Sequence, residues 1–161
     1  MLLQIHKRPG CIRLKDETGK AVAEMYRVSP CAKAKVYLPA TGEEAAMAVV
    51  QEGAKEHYVL GSAEHPLAQA DPEAQTLHFA PALANLRRAD MRSAGCRWML
   101  EVQKDLSVLV LESDRVVGEI SSFEDLRPQR MALPENTPPA LCAACYLFAE
   151  NLIHESDLEV V

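Results

Sequence analysis

The chain has 161 residues, 48% of them hydrophobic and 25% charged, which suits one globular domain over residues 1–161 with a single core. A net charge of −6 opposes nonspecific attraction to nucleic acid or to anionic lipid, both of which carry the same sign. Aromatic residues make up 5%, too few for a platform on which nucleic-acid bases stack.

The opening segment, MLLQIHKRPG, lacks the basic leader and apolar centre of a secretion signal, so the expected location is cytoplasmic. The stretch CIRLKDETGKAVAEMYRV then reads as a hairpin. Ile12 and Leu14 alternate with Arg13 and Lys15, a turn follows at Asp16 to Gly19, and a second strand runs through Val22, Met25 and Tyr26. A further strand is expected at Ala34 to Leu38.

TGEEAAMAVVQEG places Glu44 three residues after Thr41, a capping-box spacing, and residues 43–51 are read as a short helix, with a strand as the alternative for Ala46 to Val50. Strands are expected at His57 to Gly61, Thr76 to Ala80 and Arg97 to Gln103, followed by the hairpin LSVLVLESDRVVGEISS. AEHPLAQADPEAQ and RPQRMALPENTPP read as connections. VAEM at 22–25 and VGEI at 117–120 each follow an acidic turn, either a trace of duplication or a chance match.

The last segment decides the architecture. Ala140 to Ala149 are ten consecutive apolar or small residues, which as a helix span ~15 Å, half the ~30 Å of a bilayer core. The segment is therefore no membrane span. It is nevertheless apolar around its circumference, so the protein must enclose it. Short strands at regular spacing supply the enclosure, and the expected fold is mainly β, a barrel wrapped around a helix at about 138–153. Leu141, Cys142, Cys145, Tyr146, Leu147 and Phe148 are its expected buried residues. Thr137 is the expected N-cap, with Pro138 at the first helical position. The acidic tail, Glu155, Asp157 and Glu159, alternates as a solvated last strand would and lacks a calcium-loop pattern.

LCAACYLFAENLIHES, IRLKDETGKAVAEMYRV and RVVGEISSFEDLR resemble the tubby C-terminal-like superfamily, which includes tubby proteins, phospholipid scramblases and the plant LURP-one-related proteins. The resemblance implies a closed antiparallel β-barrel of about twelve strands around a hydrophobic C-terminal helix. It also implies peripheral association with anionic phospholipid headgroups at a membrane surface; the sequence departs from the scramblases in lacking a membrane-length helix after the barrel, so no transmembrane segment is expected.

The sequence carries no catalytic signature. Cys142 and Cys145 form C-x-x-C, but inside an apolar run and without a second ligand pair for zinc, so they read as small core side chains in preference to a dithiol redox pair. Five cysteines at 11, 31, 96, 142 and 145 read as reduced thiols. His6, His57, His65, His78 and His154 show no metal spacing, and no cofactor or metal is expected. Arg87, Arg88, Arg92 and Arg97 form the densest basic cluster, with Lys33, Lys35, Arg127 and Arg130 elsewhere. They are the candidate headgroup-binding residues, since guanidinium groups bond phosphate oxygens with charge assistance. The expected function is a nonenzymatic binding or scaffold module, binding anionic lipid or, alternatively, a protein partner.

Overall fold

The computed structural model describes residues 1–27, 33–62, 64–73 and 87–158, with side chains to Ile153. Twelve strands run in chain order: β1 (Leu2–Arg8), β2 (Cys11–Lys15), β3 (Ala21–Arg27), β4 (Ala34–Leu38), β5 (Glu43–Glu52), β6 (Lys55–Gly61), β7 (Pro66–Pro72), β8 (Arg88–Ser93), β9 (Cys96–Val102), β10 (Val108–Glu112), β11 (Arg115–Ile120) and β12 (Arg130–Ala132). Each pairs antiparallel with the next. β12 returns to β1 through Leu2–Ala132, Leu3–Met131 and Gln4–Arg130, closing the sheet into a barrel.

The helix α1 (Pro139–Leu158) fills this barrel. Leu141 to Ala149 are all buried, as the uniformly apolar circumference requires, and Leu152 and Ile153 continue the buried surface. Each large buried side chain contributes about 1.5–3 kcal/mol. The wall answers with alternation: Ala34, Val36 and Leu38 face inward on β4, Tyr58 and Leu60 on β6, and Trp98, Leu100 and Val102 on β9. The strands nearest the helix include β3 and β7, whose inward residues Ala23, Ala68 and Ala70 leave room for it. Ring contacts complete the filling, Tyr58 to Phe148 at 5.8 Å and Phe123 to Tyr146 at 5.5 Å.

The expected hairpins are present. At the β2–β3 turn the Asp16 carboxylate accepts hydrogen bonds from the Thr18 amide (2.9 Å), the Thr18 hydroxyl (2.6 Å) and the Lys20 amide (3.0 Å). VAEM and VGEI occupy equivalent faces, with Ala23 and Met25 inward on β3 and Gly118 and Ile120 inward on β11. These strands stand eight apart in a ring of twelve, whereas two equal halves would repeat after six.

Several segments differ from expectation. Residues 43–51 are the strand β5, because Ala34 to Leu38 pair with Glu43 to Met47 and β6 pairs with Met47 to Glu52, and this ladder outweighs the helical bias of the alanines. Thr41 bonds locally, accepting from the Glu43 amide at 3.4 Å, and caps no helix. The supposed connections contain β7 and β12. β7 opens on Pro66, at a first-residue position where the missing N–H is tolerated.

The Thr137 hydroxyl donates to the Pro134 carbonyl at 2.7 Å, and α1 begins one residue later than expected. The Pro138 carbonyl accepts from the Cys142 amide at 3.0 Å, placing Pro139 at the first helical position. Residues 155–158 continue the helix and form no last strand. The expected strand at Thr76 to Ala80 lies outside the described residues. No described helix is long and apolar enough to cross a membrane.

Candidate functional site

The strand pair β8–β9 brings the candidate arginines together on the outer wall. Arg88 and Arg92 occupy outward positions of β8, Arg97 lies opposite Arg92 on β9, and Arg87 immediately precedes β8. Their positive charge does not stand alone. Arg88 pairs with Glu101 across the ladder, Arg92 with Asp71 of β7, and Arg97 holds Asp90 through Nε–Oδ1 (3.0 Å) and Nη2–Oδ2 (2.8 Å). This last, two-pronged pair raises the Arg97 pKa. Asp71 also lies 2.6 Å from His57 Nδ1, and His57 Nε2 is 3.2 Å from Glu52. The cluster the sequence assembles is thus woven into carboxylates that its linear pattern did not reveal, since Asp71 and Glu101 are remote in the chain.

Lys33 and Lys35 lie at β4, away from this pair, while Arg127 and Arg130 belong to the segment joining β11 to β12 and to β12 itself. That segment forms a second basic surface at the end of the barrel where Arg27 reaches Glu150 of α1. It is tied down: Ser121 N donates to Arg130 O (2.9 Å), Arg130 N to Ser121 Oγ (2.9 Å), Phe123 N to Leu106 O (3.1 Å), and Ile5 N to Gln129 O (3.0 Å). Gln129 turns inward to receive the Tyr146 hydroxyl at 3.4 Å. Phe123 stacks on Tyr146 and carries Lys7 Nζ 5.4 Å above its ring.

At the tip of this fixed loop Leu126 is fully exposed, at 103%. Arg127 follows it, Arg130 lies outward on β12, and Lys7 and Arg8 finish the adjoining β1. Glu124 and Asp125 stand in the same loop; Asp125 accepts from the Arg127 amide at 3.0 Å, and its Oδ2 lies 3.7 Å from Arg127 Nε in a loose, exposed ion pair. The sequence window 126–130 shows Leu126, Arg127 and Arg130 together, whereas Lys7 and Arg8 join this end of the barrel only through the pairing of β1 with β12.

The thiols of Cys142 and Cys145 are fully buried. Burial pushes the Cys142 pKa up to about 12 and that of Cys145 up as well, so the nucleophilic thiolate is scarce near neutrality. Burial, helped by Glu150, also pushes the Tyr146 phenol up. Cys11, Cys96, Cys142 and Cys145 are all free thiols; Cys31 lies outside the described residues, as do His78 and the side chain of His154. Among the described residues no group of three His, Cys, Asp or Glu side chains is arranged to hold a metal ion. Compared with known protein families, with curated proteins and with solved structures, the chain finds no match.

Proposed function

We propose that the protein is a nonenzymatic, tubby-like binding module that meets anionic phospholipid headgroups at a cytoplasmic membrane surface through the β11–β12 loop. The observation that carries this reading is the fully exposed Leu126, next to Arg127 in a loop held by its own hydrogen bonds, with Arg130 at the start of β12 and Lys7 and Arg8 at the end of the adjoining β1. A single apolar side chain entering the headgroup region, with cations around it reaching phosphates, combines burial with attraction of about 1 kcal/mol per basic residue near the surface. The twelve-strand barrel around a C-terminal helix supports the superfamily reading. The filled interior supports a role for the outer surface in place of an internal cavity.

The β8–β9 arginines become secondary in this reading, because bonding a phosphate there requires giving up Glu101, Asp71 or Asp90. Sedimentation with anionic and with zwitterionic vesicles at low and moderate salt tests the proposal. Binding to anionic vesicles only, weakened by salt, lost in Leu126→Asp and in the pair Arg127→Glu and Arg130→Glu, and retained in Arg92→Gln with Arg97→Gln, is the expected result. Absence of sedimentation at low salt overturns it, and loss confined to the Arg92 and Arg97 variants returns the site to β8–β9.

A further inference from the structure

β5 is longer than its neighbour on one side. Its first residues, Glu43 to Met47, pair with Leu38 to Ala34 of β4, but its pairing with β6 begins only at Met47–Leu60. β6 leaves at that point. β6 stays paired with β7, but the register of that pair shifts between Leu60 and Gly61, where Gly61 comes to lie opposite Pro66. Gly61 makes the departure possible: its φ is +111°, and a Cβ there would lie 2.8 Å from both the His65 carbonyl oxygen and the Leu67 amide nitrogen. Two further bonds fix the turn, Ser62 N to His65 O (3.4 Å) and His65 N to Ser62 Oγ (2.9 Å).

Between the two elements lies an open groove of about 590 Å³. One wall is Glu43 to Ala46 of β5, with Lys35 of β4 beside Ala46; the other is Gly61, Ser62, His65 and Leu67. Among the described residues no strand pairs with the β6-facing edge of Glu43 to Ala46. In an antiparallel strand alternate residues turn both N–H and C=O to the same side, so part of this stretch offers ladder bonds to the groove. Leu67 is half exposed at the far wall, an apolar contact for a side chain of an added strand.

We infer that this groove receives an extended, basic peptide segment by strand addition to β5. The edge supplies main-chain hydrogen bonds, and the exposed carboxylates of Glu43 and Glu44, one on each face of β5, with Glu64 in the neighbouring turn, outnumber Lys35, the one lysine lining the groove, and so favour lysine or arginine side chains over acidic ones. Charge also disfavours a second copy as occupant, since antiparallel self-pairing would bring the Glu43 and Glu44 carboxylates of both chains into one short ladder. This site is separate from the β11–β12 loop, and its fate does not depend on vesicle binding.

Amide hydrogen exchange on the full chain tests it, with a short peptide of alternating valine and lysine as the probe and one of alternating proline and lysine as a control of equal charge. The groove-facing amides among Glu43 to Ala46 are expected to exchange fast in the free protein and to slow when the valine peptide is added, but not with the proline peptide, which lacks alternate N–H donors. Glu43→Lys with Glu44→Lys, both exposed positions that leave the core intact, is expected to weaken the valine peptide by about tenfold or more. Slow exchange of all these amides without peptide, equal protection by the proline control, or protection that rises with protein concentration alone each overturns the proposal.

Discussion

Arg27, the last residue of β3, holds Glu150 of the enclosed helix, Nη2 to Oε2 at 2.5 Å, with the guanidinium half in solvent and the carboxylate almost wholly buried. The pair is asymmetric in cost. Removing the arginine leaves an anion inside the barrel end, whereas removing the carboxylate leaves a cation that water can still reach. Arg27→Met is expected to lower stability by about 1–3 kcal/mol, less than a fully buried pair would lose, because solvent screens the arginine. Glu150→Gln should cost less, and the double variant should recover part of the Arg27→Met loss; urea denaturation of all three decides. Equal losses in both single variants would contradict the asymmetry.

Leu147 faces the wall from the middle of α1 and is buried. Leu147→Ala is expected to cost about 2–5 kcal/mol, and Leu147→Asp to prevent recovery of folded protein, since a carboxylate there has neither solvent nor a cation within the interior. A soluble Asp variant with an unchanged melting temperature would show that the helix does not need the barrel.

Gly118 tests the closeness of the wall to itself. A Cβ at this position would come 2.5 Å from the Ala132 carbonyl oxygen and 3.0 Å from a Leu133 methyl group. Gly118→Ala is expected to destabilise by about 1–3 kcal/mol through displacement of β12, measured by thermal or denaturant unfolding. An unchanged midpoint would mean that β12 shifts freely.

The buried thiols predict an alkaline limit. A folded pKa raised above the unfolded value means that the native state holds the proton more tightly, so the contribution is complete below about 9 and is lost as pH rises toward about 12 for Cys142. Denaturation midpoints should therefore fall with pH over this window, and less steeply in Cys142→Ala with Cys145→Ala. Native protein at pH 8 should leave both residues unmodified by a thiol reagent that labels them in urea. Rapid native labelling would reinstate the dithiol reading.

The barrel was legible in outline from its last segment: an all-round apolar helix half as long as a membrane span must be enclosed, and the hairpins at Asp16 and Ser113 show what kind of wall encloses it. Less legible were strands whose inward side chains are small. β7 and β8 turn Ala68, Ala70 and Ala89 to the core where the helix packs against them, and β5 is rich in alanine, so the apolar alternation of these strands is faint. The arginine cluster could be read as a cluster, but its neutralisation depends on Asp71 and Glu101, which only the ring brings alongside. Of the Leu126 surface the sequence shows the local part, Leu126, Arg127 and Arg130, while Lys7 and Arg8 reach the same end of the barrel only through β1.

The seam between β1 and β12, closed through Leu2–Ala132, Leu3–Met131 and Gln4–Arg130 and flanked by the Ile5–Gln129 and Met1–Leu133 backbone bonds, sets the timing of assembly. Until β12 and α1 are made, β1 lacks its second partner and the inner face lacks the helix that covers it. Closure pairs strands that are distant in the sequence, which makes it slow for a barrel of this size and leaves apolar surface exposed in the meantime.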